Sequence, residues 1–337
     1  MAMLSIQDAV EFFEALPTAL QIPSLHPAYV EADAARGPGI FPRYFCHACR
    51  GVSYYHGFHL SEVPGTPFFD IQSPYGYGGP VCTSAEPQQL APAREAFAAW
   101  CADSRILAEF VRFHPVLRNW EYFDGEAQAD RSTVCIDLEP DNLLGGYGTR
   151  ARTAVRKAVN HGLSVAWLDA GPFMEIFPGM YRQAMQQIGA QEFYLFSTQC
   201  LRQLAEWDKV LRAVCYSEGE PVACAMFLLG PELMEYHLSA SSDRGRKLSA
   251  TNLILHEAAQ QAKSYGCKRL HLGGGTDARP DNPLFFFKSG FSRDTYQFKI
   301  GRAIHDPKAY TALRDAWLKR HHQVSQRVLF YRFQDGT

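Results

Sequence analysis

The segment FFDIQSPYGYGGP at residues 68–80 runs from an apolar stretch straight into a loop of aromatics and glycines. A feature of the same kind returns far downstream, where LHLGGG at 270–275 ends on glycines and is followed by FKSGF at 287–291. Two such strand ends in one chain suggest two related halves. Gly76, Gly78 and Gly79 lack Cβ atoms, so the backbone there can take left-handed conformations and turn its N–H groups toward a ligand. Tyr75 and Tyr77 supply flat walls with polar tips. The plainer alternative is a tight turn after a strand.

A chain of 337 residues is about two domains' worth, and 47% hydrophobic residues give apolar material for two cores. A net charge of −2 exerts no global pull on nucleic acid or anionic lipid, so any polyanion contact must be local. The opening MAMLSIQDAVEFFEALP has no basic leader region and carries acids among its apolar positions. It reads as an amphipathic helix rather than a signal peptide or membrane span. Nine cysteines without framework spacing point to reduced thiols, no structural disulfide and a cytoplasmic location.

Periodicity predicts a helix over 5–16, then strands over 44–49, 51–59 and 67–72 before the glycine loop. Helices are expected over 87–101 and 104–109, and strands over 110–113 and 133–138. TRARTAVRKAVNHG after Gly148 has helical spacing with Arg150, Arg152, Arg156 and Lys157 crowded together, and reads as a basic link with a solvated face. Helices at 174–188 and 197–207 and strands at 209–216, 221–229 and 233–238 follow, then a helix over 250–265 and a strand over 269–272. The order is that of a mixed α/β (α+β) chain, divided as residues 1–147, a link at 148–170, and 171–337.

The stretch from Leu238 to Leu272 suggests acyl transfer. A strand leads through the polar loop SASSDRGRKLS into a long helix whose first N–H groups could hold an anion, and then into the strand that ends on Gly273, Gly274 and Gly275. This layout, with SPYGYGGP, FVRFHP at 110–115, the basic link, LHLGGG and FKSGF, resembles the FemABX-like branch of the GNAT (Gcn5-related N-acyltransferase) superfamily. The resemblance implies two tandem GNAT-like domains, each a mixed, mostly antiparallel sheet flanked by helices. It implies an enzyme, a transferase that moves an aminoacyl group from aminoacyl-tRNA to an amine acceptor. In the Phe-Lys-x-x-Phe motif of that family the lysine stabilises charge at the reacting ester, which points to Lys288. GNAT members normally carry Gln/Arg-x-x-Gly-x-Gly/Ala around the pyrophosphate of coenzyme A. Here Arg246, Lys247 and Ser249 stand in that register with Ser and Thr in place of glycines, so the cradle is degenerate.

Arg112 and His114 alternate along a strand and so share a face, where an arginine could clamp a phosphate or carboxylate. His237 and Glu235 share a face of the strand before the polar loop, and His237 is the candidate general base. Cys46, Cys49, His56 and His59 have the arithmetic of a zinc site, but on a strand the two cysteines fall on opposite faces and core thiols are the better account. No metal and no resident cofactor are expected; the acyl donor is a co-substrate, either aminoacyl-tRNA or, in the alternative, acyl-CoA. The acceptor, an amine-bearing small molecule or peptide, is expected in a cleft walled by Tyr75, Tyr77 and the loop glycines. Neither membrane insertion nor an obligate protein partner is expected. A non-catalytic ligand-binding protein of the same fold is the reading from another class.

Overall fold

The computed structural model describes residues 2–191, 194–279, 281–322 and 325–332. The chain divides into two compact units, Met1–Leu20 with Ser24–Asp130 and Phe298–Thr337, and Gln21–Pro23 with Arg131–Gln297.

In the first unit, strand β1 (Ala2–Met3) leads into helix α1 (Ile6–Glu14). Ser5 caps α1 by accepting from the Asp8 amide, and Ala9 and Phe13 four apart supply its buried stripe. Helix α2 (Pro27–Ala34) opens on a proline, whose missing N–H costs nothing at that position. Strands β2 (Phe41–Cys49) and β3 (Val52–Glu62) form a long antiparallel hairpin, joined by β4 (Phe69–Gln72) and the short β5 (Val81–Cys82). Helix α3 (Pro87–Asp103) crosses over to β6 (Ile106–Arg112), which runs parallel to β4. The strand order is β1-β2-β3-β4-β6, closed by the strand Thr295–Ile304 (β13) from far along the sequence. Helix α11 (Pro307–His321) and a 3-10 turn at Phe330–Arg332 follow. Phe97 meets Phe45 and Phe58 edge-on and stacks on Trp100 in its core, each large buried side chain contributing about 1.5–3 kcal/mol.

The chain enters the second unit along β7 (Glu126–Asp137). Helices α4 (Leu143–Gly146) and α5 (Thr149–Asn160) precede β8 (Ser164–Trp167), α6 (Ala170–Gln187) and α7 (Thr198–Glu206). Strands β9 (Val210–Ser217), β10 (Glu220–Leu229) and β11 (Leu233–Ser241) form an antiparallel meander. A short helix α8 (Asp243–Lys247) and the long α9 (Ala250–Ser264) cross over to β12 (Arg269–Gly274), parallel to β11. The order β8-β9-β10-β11-β12 is closed by β7, antiparallel to β12. Helix α10 (Pro283–Lys288) follows.

Each unit is thus a mostly antiparallel sheet with one parallel pair bridged by a helix, the mixed α/β architecture expected. Several elements differ from the sequence reading. Residues 104–109 were expected helical, yet Arg105 takes a left-handed φ of 56° and β6 starts at Ile106. Ile106, Leu107 and Ala108 are buried in succession, so this is a strand covered on both faces, whose apolar run carries no alternation to read. The strand expected from residue 133 begins at Glu126, and the elements α2, β13 and α11 carried no expectation. Residues 148–170 lie inside the second unit, with Ala151, Val155 and Ala158 of α5 in its core.

Candidate active site

The parallel pair of the second unit holds together only briefly. Leu233, Met234 and Glu235 of β11 register with Arg269, Leu270 and His271 of β12, after which β11 stays with β10 and β12 with β7. Past Glu235 and His271 the two facing edges are not registered with each other, which frees their backbone groups for an amide or ester inserted between them. Glycines let β12 do this. Gly273 has φ 75°, at a register shift against β7, and a Cβ on Gly274 would stand 2.8 Å from the Ser132 carbonyl oxygen.

Lys288, the last residue of α10, closes this wedge. Asn282 caps α10 with its side-chain oxygen on the Leu284 and Phe285 amides, and its amide donates to Thr276 and Asp277. The cap ties the helix to the end of β12 and aims Lys288 inward. Its Nζ donates to the Gly274 carbonyl at 2.8 Å and lies 5.8 Å from the centre of the Tyr236 ring on β11. Burial alone drives the ammonium from an ordinary 10.5 down to about 7. Tyr236 packs on Phe227 and donates from its hydroxyl to Ser239 Oγ. The site therefore offers a cation that can be discharged near neutrality, next to open strand edges.

His237 is placed differently from the sequence reading. Met226 registers with Leu238 and Phe227 with Tyr236, so His237 is the extra residue of a β-bulge, where strict alternation with Glu235 no longer holds. Its ring lies against Phe196, 6.4 Å away, whereas the Lys288 ammonium lies over Tyr236. Tyr236 and Ser239 were missed in the sequence, since only the bulge and the bend of β12 bring Tyr236 to Lys288.

Arg246, Lys247 and Ser249 sit where the polar loop turns into α9, but the loop is wound into α8. The Arg246, Leu248 and Ser249 amides donate to the carbonyls of Ser242, Arg244 and Arg246, and the Gly245 amide to Ser242 Oγ. Four amides of the loop, those of Gly245, Arg246, Leu248 and Ser249, are thus engaged within the turn. Arg246 reaches the Ser241 carbonyl, Gln187 and Asp243, and the Lys247 carbonyl accepts from Lys157 at 2.7 Å. Ser249 takes φ 64°, a left-handed conformation that disfavours side chains bearing a Cβ. The basic face of α5 is partly engaged rather than fully solvated. Arg152 donates to the carbonyls of Gly145 and Tyr147, and Arg150 donates to Phe286 and stacks 3.7 Å over its ring.

In the first unit the glycine loop fills the corresponding gap. The Ser73 amide donates to Phe110, Ser73 Oγ accepts from the Arg112 amide, and the Gly78 amide donates to the Arg112 carbonyl at 2.7 Å. Gly78 thereby bridges to Phe113 in parallel, restoring the pairing that β4 dropped. Asn119 donates from its amide to the carbonyls of Gly78 and Pro80. Gly79 is left-handed at φ 91°, and a Cβ on it would meet Val111, Asn119 and Phe113 at 2.8–3.0 Å. The expected outward N–H of Gly78 is spent inside the fold. Tyr75, Gly76 and Tyr77 stay partly exposed, with the Tyr75 amide on Asp33 and the Tyr77 ring 5.1 Å from His114. His114 is buried; its amide donates to Asn119, and its Nδ1 accepts from the Leu117 amide. Arg112 lies over the Phe110 ring at 4.8 Å. Cys46 is buried while Cys49 is exposed; His56 faces Glu109 and His59 lies 3.8 Å from Asp33. All nine cysteines are free thiols. Among the described residues, no helix is long and apolar enough to cross a membrane.

Residues 149–289 match the family of GNAT acetyltransferase domains. The crystal structure of FemX superposes with a TM-score of 0.72 at 14% identity, covering 96% of this chain and 100% of that one. A conserved protein of unknown function from Bacteroides thetaiotaomicron gives 0.59 at 10% identity, with 89% and 98% covered. L-PGS from Bacillus licheniformis gives 0.52 at 14% identity, with 81% and 87% covered. No curated protein sequence matches the chain.

Proposed function

From a chain that carries a GNAT acetyltransferase domain at 149–289 within a FemX-like fold, we propose an aminoacyltransferase that moves an aminoacyl group from aminoacyl-tRNA to an amine. The observation that carries the reading is the buried Lys288 ammonium at the parting of β11 and β12. The acceptor amine attacks the ester carbonyl, a C–N bond forms, and the carbonyl oxygen becomes an oxyanion. Lys288 donates an N–H to that oxygen, a contribution of about 3–4 kcal/mol by analogy with other oxyanion donors. The C–O bond then breaks, and the departing ribose oxygen takes the proton that the amine sheds, so no separate protein base is invoked.

The donor is argued from α8. Its turn-forming hydrogen bonds occupy the Gly245, Arg246, Leu248 and Ser249 amides, leaving fewer for a coenzyme A pyrophosphate, which favours a donor held by other means. A second reading, an acyl-CoA-dependent N-acyltransferase, draws support from the acetyltransferase family that matches residues 149–289. Calorimetric titration with acetyl-CoA and free coenzyme A separates the two. Absence of saturable binding, together with transfer from charged tRNA to an amine, is the expected result; micromolar binding of either coenzyme overturns the donor assignment. Full transfer by a folded Lys288→Ala protein overturns the role of the lysine.

A further inference from the structure

Helices α5 and α10 of the second unit meet at a contact that the chemistry at Lys288 does not use. Phe286, two residues before Lys288 on α10, is 59% exposed. A single exposed apolar side chain is ordinary on a protein surface. Phe286 differs in how it is held. Arg150, at the start of α5, donates from Nη2 to the Phe286 carbonyl at 2.9 Å and sets its guanidinium 3.7 Å over the ring. The hydrogen bond fixes a planar cation on a flat apolar face, and both members stay in contact with solvent.

The charge beside this pair has one sign. Helix α5, TRARTAVRKAVN, holds four basic residues and no acid, in a chain of net charge −2. Lys157 follows Arg150 by about two turns and so lies on the same stripe, with Arg156 exposed next to it. Aromatic faces and guanidinium planes are what unstacked bases pack on, and a row of cations is what a phosphate backbone follows. A duplex keeps its base faces stacked inside, so the occupant is single-stranded. We propose that the Arg150–Phe286 pair and the α5 stripe bind the single-stranded 3′ end of the donor tRNA, one base stacked on the pair and the phosphates passing Arg156 and Lys157. This rests on aminoacyl-tRNA as the donor. Lys288 is buried and Phe286 exposed on the same helix, so the stacked base belongs to a nucleotide preceding the one whose ester reacts.

Fluorescence anisotropy with a 5′-labelled ACCA ribonucleotide, and with the same oligomer made abasic, tests it. Wild-type protein should bind ACCA saturably and the abasic oligomer about tenfold more weakly, the scale of one lost stacking contact. Phe286→Ala should weaken ACCA by a similar factor, and Phe286→Trp should retain it. Arg150→Lys keeps the charge but not the plane, and should weaken ACCA with its salt dependence unchanged. Arg156→Ala should instead reduce the slope of log affinity against log salt by about 0.7. The proposal is overturned if ACCA does not bind saturably, if the abasic oligomer binds as well, or if Phe286→Ala binds ACCA like wild type. Any of these without coenzyme A binding strikes the base platform alone; micromolar coenzyme A binding overturns the donor assignment and the platform with it.

Discussion

The two units are built to one plan and differ where their parallel strands part. In the second, β11 and β12 separate beyond Glu235 and His271 and a lysine is buried at the gap. In the first, β4 ends at Gln72 and the chain folds back through SPYGYGGP, so that Gly78 bridges to Phe113 and Asn119 secures the loop. The gap that stays open beside Lys288 in one unit is stitched shut with backbone hydrogen bonds in the other. The same plan thus leaves one gap open and closes the other, and glycine serves both: at Gly273 it bends a strand away, at Gly79 it lets a loop pack where no Cβ fits.

The largest effect that would break this contrast lies at Lys288. Lys288→Ala should lower kcat by about 10²–10³-fold while circular dichroism shows a native-like fold. Because the oxyanion role needs the charged form, transfer by wild type should fall as pH rises above about 7. A profile that instead rises through that pH would make the lysine a base.

Next in size is the stability linkage of the same residue. Below pH 7 the ammonium is charged in folded and unfolded protein alike, and its burial cost is fully present. Between 7 and 10.5 the unfolded chain holds a proton that the folded protein has released, so the unfolded state binds more protons and stability rises with pH. Lys288→Met should therefore be more stable than wild type near pH 6, and denaturant titrations should show that advantage shrinking as pH climbs toward 10. A difference independent of pH would mean that Lys288 is not desolvated.

Asn119→Ala unpicks the stitched gap. It removes three side-chain hydrogen bonds from a buried position and should cost about 2–3 kcal/mol in urea unfolding. The smallest effect sharpens the contrast at the other unit's turn. Ser249→Gly relieves a left-handed backbone and should add about 1 kcal/mol of stability. If it also confers coenzyme A binding, side-chain strain rather than the engaged amides of α8 was what excluded the pyrophosphate.

What could be read from the sequence was whatever is fixed locally. The amphipathic α1, the long α9 and the strand ends at glycine follow from spacing and composition. Lys288 was singled out through its motif, and its burial could not have been read there. The misses share one cause. The bulge at His237 is a mismatch between β10 and β11, visible only once both are paired. Strand β6 looked helical at its start because burial on both faces erases alternation. Tyr236 meets Lys288 across 52 positions of sequence (288 − 236), beyond the reach of any local pattern.

Strand β13, whose Ile300–Ile304 pair with β6, has a consequence for how the protein is made. The first unit needs residues 298–304 to complete its sheet, while the second lies almost entirely within 131–297. On the ribosome the later-starting unit is finished first, and β6 waits with a bare edge until nearly the whole chain has emerged. A bare edge is a template for pairing with other chains, so synthesis halted between residues 137 and 298 should release products that self-associate. The same interleaving means that no single cut yields both units whole.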